Sequence, residues 1–186
     1  MNRRSFLAAL AALPVAAHAD EGEVVRLLAE PHTHAIMRHA LAPGTSDPAG
    51  FTIGDCTTQR NLDDRGRAQA RATGAALRRG GARFDRVLTS QWCRCRDTAA
   101  LLDLGALEDA PPLNSFFEDR HLRDPQTKAL RALLDRAPAD QTLMLVTHQV
   151  NITALLSTGV SSGEVFVFSA PPGRAPEIRG SLLIPA

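Results

Sequence analysis

Ala35-Ile36-Met37-Arg38-His39 decides how this chain is read. A short apolar run stops at an arginine and a histidine, and a loop containing Pro43 and Gly44 follows. The pattern predicts a buried strand that delivers two proton-handling, cationic side chains to its carboxyl end. Arg86-Val87-Leu88-Thr89-Ser90 leads in the same way to Arg94, and Leu143-Met144-Leu145-Val146-Thr147 leads to His148. In an open α/β sheet, strand carboxyl ends lie side by side, so these distant residues converge on one crevice. Two arginines and two histidines there suit a phosphate ester, with one histidine as nucleophile.

Working outward, strand-like and helix-like segments alternate along most of the sequence. Periodicity and breakers predict helices over Glu21 to Glu30, from Asp63 or Asp64 to Gly80, and from Cys93 to Leu104. Two more run from Gln126 to Arg136 and from Val150 to Ser157. Strands are expected at Phe84 to Ser90 and Thr142 to Thr147, with an antiparallel pair, Val165 to Ser169 and Glu177 to Ile184, at the end. That order predicts a three-layer α/β/α fold with a mainly parallel sheet and helices on both faces. Residues 42 to 58 form a long loop without helical periodicity, and loops of this length are often functional. His32 and His34 alternate across the entry to the first strand and read as exposed strand-edge residues with no role.

Composition narrows the function. At 186 residues, 44% hydrophobic and 22% charged, the chain is long enough for one domain with its own core. Acidic residues balance the basic ones, and there is one tryptophan and no tyrosine, so a nucleic-acid-binding surface is not expected. Asn2-Arg3-Arg4-Ser5-Phe6-Leu7, a short apolar run and Ala17-His18-Ala19 together resemble a bacterial twin-arginine leader. Residues 1–19 are therefore expected to be a signal peptide and 20–186 a single periplasmic domain. Without Arg3 and Arg4, 19 basic residues stand against 20 acidic ones. No later run is long enough for a transmembrane helix, so stable membrane insertion is not expected.

Cys56, Cys93 and Cys95 in an exported protein permit one disulfide. A bridge from Cys56 to either Cys93 or Cys95 ties the long loop to the Arg94 segment, and the sequence leaves both pairings open. Zinc is the weaker alternative, because the spacing is unusual for a structural site.

With these residues in view, the chain resembles the histidine phosphatase superfamily, the phosphoglycerate-mutase-like fold. Met37-Arg38-His39-Ala40 is similar to its Arg-His-Gly signature, with alanine for glycine. Leu62-Asp63-Asp64-Arg65-Gly66-Arg67-Ala68-Gln69-Ala70 resembles its Leu-Thr-x-x-Gly-x-x-Gln-Ala helix start. Ser90-Gln91-Trp92-Cys93-Arg94-Cys95-Arg96-Asp97-Thr98-Ala99 resembles its Ser-x-x-x-Arg-x-x-x-Thr-Ala segment, and Val146-Thr147-His148 stands where its second histidine belongs. Each motif alone is weak, but their order on the expected elements is specific.

The resemblance implies a phosphatase that needs no cofactor and no metal. It makes His39 the nucleophile, Arg38 and Arg94 the phosphate ligands, and His148 a donor to the phosphoryl oxygens. Arg60 is a candidate further contact, and Asn151 either lines the pocket or caps a helix. The family's Leu-x-Glu acid is missing, because Leu113-Asn114-Ser115 has serine there. Glu118, beside Phe116-Phe117, is expected to act as the general acid, with Asp119 as its rival. The partner is a small phosphorylated substrate, such as a cell-envelope sugar phosphate, or a phosphorylated protein side chain. A non-catalytic phosphate-binding module is the alternative function.

Overall fold

The computed structural model describes residues 21–186. The expected leader lies outside the described residues. Helix α1 (Glu21–Leu28) precedes β1 (Thr33–Arg38), and the long loop ends in a short 3-10 turn, Cys56–Thr58. Then follow α2 (Asp64–Arg79), β2 (Arg86–Thr89), α3 (Cys93–Leu102), β3 (Leu107–Asp109) and α4 (Arg123–Asp135). The chain continues through β4 (Leu143–Thr147), α5 (Gln149–Leu156), β5 (Val165–Ser169) and β6 (Glu177–Leu182).

The six strands form one sheet in the order β3-β2-β4-β1-β5-β6. Strands β1 to β4 run parallel, whereas β5 and β6 join antiparallel at one side. Side chains alternate across the central strands, as the two-residue pleat requires. Ala35, Met37, Met144 and Val146 face α1, α2 and α3, in a cluster with Leu77, Ala99 and Leu102. Ile36, Leu143 and Leu145 face α4 and α5, in a cluster with Leu130, Leu134, Ile152 and Leu155. Both sheet faces are covered, and each buried leucine contributes on the order of 2 kcal/mol. The three-layer fold read from the sequence is the observed one.

Three local readings change. β1 starts at Thr33 in the middle of the sheet, so His34 is buried rather than exposed, with Nδ1 placed 3.4 Å from the Leu143 amide. Burial, and then the neighbouring His32, lower its pKa to about 4. Helix α4 begins at Arg123, before Pro125, because a proline in the first turn gives up an N–H that has no helical partner anyway. Strand β3 was not foreseen: its three residues are all exposed and carry no alternation to detect.

Helix α2 approaches its neighbours at glycine. A Cβ on Gly66 would lie 1.9 Å from the Leu41 carbonyl oxygen, and one on Gly74 would lie 2.1 Å from that of Leu102. Only glycine lets α2 reach the backbone that follows β1, and Asp63 caps its start by accepting from the Gly66 amide.

Candidate active site

Strand register builds the centre of the site. Arg38 pairs with Thr147 across β1 and β4, and the His39 amide donates to the Thr147 carbonyl at 2.9 Å. His39 and His148 each stand one residue beyond that pair. Their ring centroids are therefore 5.5 Å apart, edge to face. Thr89 pairs with Val146 across β2 and β4, so Ser90 stands at the same sheet end and α3 starts there with Arg94 in its first turn.

The backbone after His39 is held by the motif residues of α2 and α3. The Ala40 amide donates to Thr98 Oγ1 at 3.0 Å, and the Leu41 amide donates to Gln69 Oε1 at 3.0 Å. Gln69 Nε2 in turn donates to the carbonyls of Ser162 and Ile184. These buried amide and hydroxyl groups fix the loop that positions His39.

His39 is 2% exposed, and its Nδ1 lies 2.8 Å from the Ala40 carbonyl oxygen. A carbonyl can only accept, so Nδ1 carries the proton and Nε2 keeps its lone pair. Burial, and then the charge of Arg94, push the His39 pKa well below its ordinary value. The ring is therefore neutral at physiological pH, as a nitrogen nucleophile requires. His148 is lowered well below its ordinary value too, by burial first and then by His39 and Arg94. Its Nε2 lies 2.8 Å from Ser90 Oγ, and Arg94 Nη2 donates toward its Nδ1 at 3.4 Å. Both ring nitrogens are thus engaged within the protein.

A cavity of about 410 Å³ opens over these groups and is lined by Arg38, His39, Arg60, Arg94 and His148. Arg38 Nη1 donates to the Val160 carbonyl at 3.1 Å, and Arg60 Nη1 to that of Ala42 at 2.5 Å. The buried Nε–H groups of Arg38, Arg60 and Arg94 have no protein partner. Three guanidinium groups around two neutral imidazoles make a strongly anion-seeking pocket. Phe51, Trp92 and Phe117 form its apolar wall.

Glu118 and Asp119 also line the cavity, but both are exposed. The apolar shelter expected for Glu118 is not built, because Phe116 turns into the interior while Phe117 is 40% exposed. Asn151 does not line the cavity: it is buried, and its Nδ2 donates to the Asn114 carbonyl at 2.9 Å, holding the 112–114 segment. Arg60 does line it, which its sequence position left open.

Sequence reading missed Asp47, whose side chain is 7% exposed and pairs with Arg94 at 2.7 Å. No periodicity or motif marks it, since it sits midway along an irregular loop. The loop is anchored beside the site by a disulfide between Cys56 and Cys93. Cys95 remains a buried free thiol, its pKa pushed up to about 12 by burial. With two of the three sulfurs in a disulfide, the zinc alternative loses two of its three thiolates. Among the described residues, no group of three or more metal-binding side chains is clustered.

Residues 35–111 match the family described as histidine phosphatase superfamily (branch 1), a span that contains His39 and Arg94. Residues 35–111 carry that family's sequence signature, and the chain shares the fold of the solved structures it resembles. Among solved structures it is similar to the protein histidine phosphatase SixA complexed with tungstate, at 17% identity and a TM-score of 0.58, over 81% of this chain and 96% of that one. Phosphoglycerate mutase from Thermus thermophilus is similar at 17% identity and a TM-score of 0.59, over 82% and 99%. A mycobacterial glucosyl-3-phosphoglycerate phosphatase is similar at 17% identity and a TM-score of 0.54, over 74% and 89%. No curated protein matches in sequence. The three neighbours share a fold and differ in activity, so the histidine phosphatase fold alone does not select a substrate.

Proposed function

We propose that this protein is an exported phosphatase that hydrolyses phosphate monoesters, or phosphorylated protein side chains, through a phosphohistidine on His39. The observation that carries the reading is the fixed tautomer of His39: its Nδ1 is spent on the Ala40 carbonyl, so Nε2 is the nucleophilic atom in an arginine-lined cavity. Nε2 attacks phosphorus in line, the N–P bond forms and the P–O bond to the leaving alcohol breaks. Glu118 gives that oxygen its proton, with Asp119 as the neighbouring alternative. Water then attacks the phosphohistidine, giving a proton back to the carboxylate that protonated the alcohol; the P–N bond breaks, and inorganic phosphate leaves.

Arg38, Arg94 and Arg60 supply the positive charge that the transition state needs. A bound phosphoryl dianion favours the doubly protonated form of His148, which then has Nδ1–H to donate. The disulfide supports an oxidising compartment, in line with the twin-arginine-like leader and a periplasmic location. No helix among the described residues is long and apolar enough to cross a membrane.

The exposure of Glu118 favours one second reading, a phosphate-binding module without turnover. Hydrolysis of an aryl phosphate in excess chelator, beside His39→Ala, separates the two. The leaving group scarcely needs an acid, so the assay reports the nucleophile and pocket. Turnover that falls by roughly 10⁴-fold in His39→Ala supports the phosphatase. Equal rates reject His39 as nucleophile, and no turnover in either protein favours the binding module.

A further inference from the structure

Asp47 lines the cavity and occupies the Arg94 fork. Its carboxylate accepts from Arg94 Nη1 at 2.7 Å and Nη2 at 3.1 Å, a bidentate fork. It also accepts from the Arg60 amide at 3.0 Å and from Trp92 Nε1 at 3.1 Å. Arg94 is equally committed. Its remaining terminal hydrogens go to the Arg60 carbonyl at 3.3 Å and toward His148 Nδ1 at 3.4 Å. Only Nε–H has no partner, and it is buried. An anion therefore cannot take the Arg94 fork without moving the Asp47 carboxylate off it. Burial alone would raise the Asp47 pKa, but the bonds from Arg94, Arg60 and Trp92 outweigh it and hold the group ionised.

We propose that Asp47 is a specificity-determining residue: a built-in carboxylate that competes for the Arg94 fork and admits doubly charged phosphoryl groups over singly charged anions. The proposal rests on the reading of the cavity as a phosphate site. The physical reason is the count of charge. A monoanion that replaces the carboxylate exchanges one negative charge for another beside Arg38, Arg60 and Arg94, and gains nothing electrostatically. A dianion adds a second charge to the same three cations. Its third oxygen is also free to meet a further guanidinium beside the fork. Phosphate monoesters and phosphorylated side chains meet that condition, whereas phosphodiesters and carboxylates do not.

The pairing also supplies its own reporter. Trp92 is the only tryptophan in the chain, and its indole N–H donates to the Asp47 carboxylate. Displacement of Asp47 by an anion changes that contact and with it the tryptophan emission.

The test is direct binding, measured by calorimetry and by Trp92 emission, and it needs no turnover. Inorganic phosphate at about pH 8 serves as the dianion and dimethyl phosphate as the monoanion. In the unaltered protein, phosphate binds with a change in emission and dimethyl phosphate binds far more weakly. Asp47→Asn keeps the shape and removes the charge. It is expected to bind both anions more tightly, with dimethyl phosphate gaining more, so that the preference for phosphate falls by about tenfold or more. Unchanged or weaker phosphate binding in Asp47→Asn, with the preference retained, overturns the proposal and leaves Asp47 as a residue that merely positions Arg94. Asp47→Ser is read by the same criterion if the asparagine variant does not fold. Should neither variant fold, the unaltered protein decides, because phosphate binding without any change in Trp92 emission is equally fatal. Absence of phosphate binding in every protein rejects the phosphate site itself, and the proposal with it.

Discussion

The site has two halves of different construction. His39 and His148 stand at the ends of neighbouring parallel strands, and the register of β1 on β4 fixes their separation. Asp47 and Arg60 belong to a long irregular segment, held by side-chain hydrogen bonds and one disulfide. The sheet half is rigid because its backbone bonds are part of a buried ladder with core on both faces. The loop half is fixed only by the groups it touches. In the proposed mechanism, the groups that must be held within a fraction of an ångström sit on the first half, and the proposed selection of anions sits on the second.

The sharpest test of the sheet half is His148→Ala. If the ring stabilises the phosphoryl transition state, kcat falls by about 10²–10³-fold. The two-half picture is broken if KM rises instead and kcat holds, since His148 would then belong with the entry groups.

The disulfide tests the loop half. Cys56→Ser opens a cross-link between residues 37 apart in sequence, and is expected to cost about 2–4 kcal/mol in urea unfolding. Amide exchange should quicken in residues 42–61 while β1 and β4 stay protected. Uniform quickening across the sheet would show that the halves are not separable.

Acid should separate the halves by a smaller effect. The buried rings of His34, His39 and His148 have folded-state pKa values below 6.5, and His34 lies at about 4. The unfolded chain therefore binds protons that the folded chain refuses. Stability supplied by the neutral rings is complete above 6.5 and is lost as pH falls from 6.5 toward 4. Asp47 titrates below its ordinary 3.8, so the Asp47–Arg94 pair outlasts that loss. Thermal midpoints that drop steadily between pH 6.5 and 4, with Trp92 emission unchanged until lower pH, are expected. A midpoint that stays flat over that range would contradict the burial of neutral rings.

The same division explains what could be read from the sequence. Apolar runs ending in Arg38-His39, in Ser90 and in Thr147-His148 announce parallel strands and their shared end, because a buried strand needs an uninterrupted apolar run. Gln69 and Thr98 were visible as parts of motifs, and the structure adds their work, which is to hold the backbone after His39. Asp47 was not visible, because a loop carboxylate gains its meaning only from the arginine it meets 47 residues later. The choice of Cys93 over Cys95 likewise turned on which sulfur faces the loop and which faces the interior beside His148. Strand β3 escaped notice because three exposed residues form it, and its pairing with β2, a ladder reinforced by the Arg86–Glu108 ion pair, shows only once the strands lie side by side.

His39 as a covalent nucleophile is the centre of this account, and rapid base-quench of the protein during turnover of an aryl phosphate tests it most directly. A single added phosphoryl group on the peptide that carries His39, stable to base and released by acid, is the predicted result. It should be absent from His39→Ala. Steady hydrolysis with no phosphoryl group on that peptide, and with full activity in His39→Ala, would contradict it.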